Sequence, residues 1–167
     1  MLRARFRNQH VTTDSSLRST LEQMLKKASF PAAMPGETIP TTSVPDAAYS
    51  PEGELLGLDP LAGDDLFVNW KARKDHQFRT TVSYQDTAYE IRTTWLGKNH
   101  SDSFEGPPLT WETMMQSSSG WLNVTRYCTT AAAQNGHLTL VSILLAAGMT
   151  LTSTNIEIPQ DQERLDD

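Results

Sequence analysis

Three stretches between residues 66 and 96 alternate apolar and polar side chains with a period of two, and this constrains the fold more than any other feature of the chain. Leu66, Val68, Trp70 and Ala72 alternate with Phe67, Asn69, Lys71 and Arg73. Phe78, Thr80, Val82 and Tyr84 alternate with Arg79, Thr81 and Ser83. Tyr89, Ile91, Thr93 and Trp95 alternate with Glu90, Arg92 and Thr94. Side chains on a strand point to opposite faces in turn, so each run reads as a strand with one buried and one wet face. The Thr, Val, Tyr and Trp content agrees with strand preference. The separators Lys74-Asp75-His76 and Gln85-Asp86-Thr87 are short enough for hairpins, which predicts an antiparallel β-meander.

The pattern changes downstream. Gly97, Asn99, Gly106, Pro107 and Pro108 mark a loop over 97–109. Thr110 is placed to cap a short helix with Glu112 in its first turn and Trp111, Met114 and Met115 on its buried face, ending near Gly120. Residues 121–127 read as a strand. Residues 129–148 are apolar, and 149–158 alternate weakly enough for a last strand. From Pro159 the chain is acidic, with Asp161, Glu163, Asp166 and Asp167. The expected fold class is α+β: an antiparallel β-meander with packed short helices in one globular domain over 66–158, and a disordered acidic tail over 159–167.

Upstream lies a charge asymmetry that the net charge of −6 conceals. Residues 1–30 form a basic, extended arm carrying Arg3, Arg5, Arg7, Arg18, Lys26 and Lys27 against Asp14 and Glu22. Within it Leu17, Leu21, Met24, Leu25 and Ala28 share one face of an amphipathic helix that Asp14 or Ser15 can cap. Residues 31–65 contain no Lys or Arg. Pro31, Pro35, Pro40, Pro45, Pro51 and Pro60 punctuate them, and acids recur between, so an extended linker is expected. Two short features within that linker suit docking to another protein. One is Tyr49 between Pro45 and Pro51, and the other is the apolar cluster Leu55, Leu56 and Leu58 among acids.

The residues that usually announce chemistry are dispersed. Cys128 is the only cysteine, so an internal disulfide is impossible, and its apolar, Thr-rich surroundings suit a buried thiol rather than a nucleophile. His10, His76, His100 and His137 show no helical metal spacing and read as surface or turn residues. Glycine-rich phosphate loops, nucleophile elbows and calcium loops are lacking. Asp64-Asp65 and Asp102 with Glu105 read as linker and loop acids. The expectation is a protein that is not an enzyme, without metal or cofactor. No apolar run is long enough to cross a bilayer and no signal-peptide core follows the first arginines, so an intracellular, non-secreted location is expected.

Two resemblances add to this reading. Ala132-Ala133-Gln134-Asn135-Gly136-His137, followed by Val141, Leu144-Leu145 and Gly148, resembles half of an ankyrin repeat. That implies a helical hairpin with its turn at Gly136-His137; a buried strand is the other reading of this stretch. The layout of a basic arm, a linker holding Pro and Tyr, and a domain with Trp111, Trp121 and a Leu-rich stretch over 144–148 is similar to the rhabdovirus matrix proteins. This second resemblance implies self-association and an arm that meets anionic membrane or ribonucleoprotein. Arg3, Arg5, Arg7, Arg18, Lys26 and Lys27 would then supply phosphate or headgroup contacts. Pro45, Tyr49, Pro51, Leu55, Leu56 and Leu58 would dock on another copy or another protein. The expected function is a non-enzymatic structural and assembly protein, with an ankyrin-like adaptor as the alternative.

Overall fold

In the computed structural model, the described residues are 19–20, 23–59, 77–101, 104–117 and 120–156. The elements are α1 (23–27), β1 (Ala48–Tyr49), β2 (Leu55–Gly57), β3 (Gln77–Tyr84), β4 (Thr87–Trp95), β5 (Trp111–Ser117), β6 (Gly120–Tyr127), α2 (Thr130–Ala146) and β7 (Thr150–Thr154). The α+β class follows directly. The alternation in 78–95 becomes β3 and β4, paired antiparallel from Gln77↔Thr94 to Tyr84↔Thr87. Gln85 and Asp86 both adopt left-handed φ, 47° and 67°, as a two-residue turn matched to strand twist requires. The first alternating run, 66–73, and the acidic tail lie outside the described residues.

The main sheet is antiparallel, in the order β6-β5-β4-β3-β7. Four strands follow one another as a meander. Helix α2 then carries the chain back over one face, and β7 pairs with β3 at the far edge. Residues 149–158 thus hold the expected last strand.

The short helix expected after Thr110 is instead strand β5. Trp111, Thr113 and Met115 are buried and alternate with Glu112, Met114 and Gln116, and Trp111 pairs with Trp95. Period two therefore holds here, although the adjacent methionines imitate a helical face. Thr110 caps nothing: its hydroxyl donates to the Cys128 carbonyl oxygen.

The stretch read as a helical hairpin or a buried strand is one continuous 17-residue helix. Thr129 caps it by accepting from the Ala132 amide at 3.2 Å. Gly148, at φ 88°, closes the other end, where the Gly148 and Met149 amides donate to the Leu145 and Leu144 carbonyls. Gly136 is therefore not a turn residue. It sits against the sheet, and a Cβ there would overlap the buried Tyr127 ring.

The core lies between α2 and the inner sheet face. Small residues at the start of the helix, Ala132 and Ala133, meet the large rings of Trp95, Trp111 and Tyr127. Larger ones further on, Leu140, Val141 and Leu144, meet Val82, Tyr89, Ile91 and Met115. Each full burial of such an aliphatic side chain contributes roughly 1.5–3 kcal/mol. Leu25 and Phe30 join the margin of this core, which anchors α1.

Residues 31–59 are packed, in contrast to the extended linker expected there. Asn99 explains part of it. Buried, it donates to Ser43 Oγ at 3.0 Å and accepts from the Ser101 and Leu109 amides. Tyr49 is buried too; its hydroxyl accepts from the Val44 amide, and its own amide donates to the Gly97 carbonyl. The prolines shape the path without preventing these loop-to-loop bonds.

Replacing a helical Gly by Ala ordinarily stabilises by about 1 kcal/mol. At Gly136 the sign should reverse. Gly136→Ala is expected to destabilise by roughly 1–3 kcal/mol through overpacking against Tyr127, read from the denaturant midpoint. An unchanged or raised midpoint would contradict this packing.

Candidate functional site

The β1–β2 hairpin is held rigidly at its turn and left apolar on its outer strand. Trp111 Nε1 donates to the Pro51 carbonyl oxygen at 2.9 Å, and Thr130 Oγ1 donates to the same oxygen at 3.2 Å. Gly53 lies so close to the Cys128 carbonyl oxygen that a Cβ would fall 2.9 Å from it. Ser50 Oγ accepts from the Glu52 and Glu54 amides and closes the turn. Beyond this anchor β2 turns outward. Leu55, Leu56 and Leu58 are 51%, 53% and 67% exposed, and exposed Glu52, Glu54 and Asp59 lie next to them in sequence.

The docking residues read from the sequence therefore divide. Leu55, Leu56 and Leu58 are each exposed. Tyr49 and Pro51 are buried supports, and Pro45 opens the tight turn whose Asp46 has φ 60°. Of the basic residues, Lys26 and Lys27 are exposed on α1. Arg3, Arg5, Arg7 and Arg18 lie outside the described residues.

The sheet face opposite α2 is polar and organised by ion pairs. Glu90 accepts from Arg92 at 2.8 Å, with Arg79 at 4.0 Å on its other side. Glu112 accepts from Asn123 at 2.6 Å and Arg126 at 3.0 Å. The Arg92 guanidinium lies 4.9 Å above the ring of Trp121, which is 42% exposed.

The inner face hides a polar row that sequence reasoning missed. His137 is fully buried in α2, not in a turn. Its Nε2 meets Thr80 Oγ1 at 2.8 Å, and its Nδ1 meets Thr93 Oγ1 at 2.9 Å. Thr80 continues to Thr154, and Thr93 to Thr113. Neutral imidazole has one donor and one acceptor nitrogen, and hydroxyls can serve either, so both ring nitrogens are satisfied without a charge. Phe78 packs edge-on against the ring. The available signal was Thr80 and Thr93 standing among the inward-facing positions of their strands.

Burial shifts several ionisable groups from their ordinary values. It holds the His137 imidazole down to about 4. It pushes the Cys128 thiol up to about 11, helped by nearby Glu37, and the thiol donates to the Ala32 carbonyl oxygen. Burial raises the Tyr127 hydroxyl to about 12, with Thr113 acting the other way. His100 is lowered by burial, then by Arg126 and Lys98. Among the described residues no group of His, Cys, Asp or Glu could hold a metal ion, and no helix is long and apolar enough to cross a membrane.

Comparison with known proteins adds nothing to this geometry: no protein family matches the chain, and neither any curated protein nor any solved structure does.

His137 makes stability pH-dependent. Its folded pKa lies near 4, below the ordinary 6.5. The unfolded chain therefore binds a proton that the folded chain refuses between those values. Stability from this group is complete above pH 6.5 and falls as pH drops toward 4, by about 3 kcal/mol in all. Urea unfolding at pH 7 and pH 4.5 should show wild type losing more stability than His137→Gln. Equal losses would contradict a buried neutral imidazole.

Proposed function

We propose that the chain is a non-enzymatic assembly protein, matrix-like, that associates with copies of itself. The supporting observation is that Leu55, Leu56 and Leu58, three large apolar side chains within four residues, are each more than half exposed on and just after a strand whose hairpin is fastened at its turn. Scattered exposed leucines are ordinary, but several close in sequence and flanked by acids suit a contact surface. Both outer strands of the main sheet are engaged through irregular pairings, β7 with β3 and β6 with β5, which hinders edge-to-edge pairing. Association by side-chain contact at β2 is thus favoured over sheet extension.

Lys26 and Lys27, exposed on α1, would add contacts to an anionic membrane or ribonucleoprotein. Each cation near such a surface contributes about 1 kcal/mol, less as salt rises. The stretch on which the adaptor alternative rested is one helix, α2, with its apolar face against the sheet, which favours the assembly reading.

Sedimentation velocity over a wide concentration range should show reversible association of the full chain. Leu55→Asp with Leu56→Asp should weaken it at least tenfold, about 1.4 kcal/mol, while circular dichroism and the thermal midpoint hold. A wild-type chain that stays monomeric throughout would refute the self-association. Pelleting with anionic liposomes should fall as salt rises; none at low salt would refute the membrane contact.

A further inference from the structure

If copies associate through the hairpin, the surface that receives it must also be on the molecule. A hairpin-to-hairpin contact would bring Glu52, Glu54 and Asp59 of two copies together, and residues 31–65 hold no cation to relieve the repulsion. The charge instead calls for a surface with an excess of cations and an exposed apolar ring.

The outer sheet face has that character. Arg79, Arg92 and Arg126 exceed Glu90 and Glu112 in charge, and Trp121 offers an exposed ring beside half-buried Met114. Arg92 is already desolvated on one side by Trp121 and fixed by Glu90, so little ordering is required of it on contact. Trp and Arg are also the side chains that most often anchor contacts.

The two surfaces cannot meet within one copy. The hairpin is tied to Trp111 and Thr130, which belong to the α2 side of the sheet, whereas Trp121 and Arg92 stand on the opposite side. We infer that the Leu55–Leu56–Leu58 hairpin of one copy docks on the Trp121–Arg92 face of the next, a head-to-tail contact. It rests on the self-association proposed above and specifies its geometry. A head-to-tail contact leaves one hairpin and one face free at the ends, so it propagates into open chains unless the rotation closes a ring.

Complementary variants test this. The hairpin variant carries Leu55→Asp and Leu56→Asp, and the face variant carries Trp121→Ser and Arg92→Ser. Each should be monomeric alone by sedimentation velocity. An equimolar mixture should form a 1:1 complex and nothing larger, since one variant keeps a face and the other keeps a hairpin. If the face variant unfolds, Arg79→Glu at the exposed rim replaces it and should weaken association at least fivefold. A face variant that associates like wild type overturns the inference while leaving self-association standing. Two monomeric variants that stay apart when mixed also overturn it. A monomeric wild type overturns the underlying reading.

Discussion

Helix α2 can lie on the sheet only where its small and large residues match the relief beneath, and this fit governs the rest of the described structure. Ala132, Ala133 and Gly136 leave room for Trp95, Trp111 and Tyr127; Leu140, Val141 and Leu144 fill the space over Val82, Tyr89, Ile91 and Met115. Between the two zones His137 is held from both sides by Thr80 and Thr93. The paired hydroxyls reinforce the register set by this fit, because a shift would leave a buried imidazole without partners at a cost of about 1–3 kcal/mol per lost bond. The helix seat in turn sets where Thr130 points, hence where Pro51 and the hairpin are fastened.

Strand alternation was the most legible part of the sequence. β3 and β4 follow from parity alone, because one face is buried and the other wet. Residues 111–117 obey the same parity, but Met114 and Met115 side by side suit a helix face equally well, and Thr110 with Glu112 imitates a cap. The pairing Trp95↔Trp111, a long-range fact, decides between them. In 130–146 the resemblance to half of an ankyrin repeat implied a turn at Gly136-His137. Here both are demanded by what lies underneath: a tyrosine ring and two threonine hydroxyls.

The candidate site was legible only in part. Leu55, Leu56 and Leu58 stand out in sequence as apolar residues among acids, and each is exposed. Tyr49 and Pro51 looked equally available, yet their partners, the Gly97 carbonyl and the Trp111 and Thr130 side chains, come from the tertiary fold. The face carrying Trp121 and Arg92 draws on separate strands and has no local signature. Proline-rich sequence thus misleads when its backbone groups find partners on neighbouring loops, as Asn99 arranges here.

Hydrogen exchange of the full chain at low and high protein concentration tests the copy-to-copy contact most directly. The account predicts that slowing on concentration appears in two places at once, residues 54–58 and the outer-face segments around Arg92 and Trp121, with α2 unchanged. Slowing confined to 54–58, or no change at either place, would contradict it.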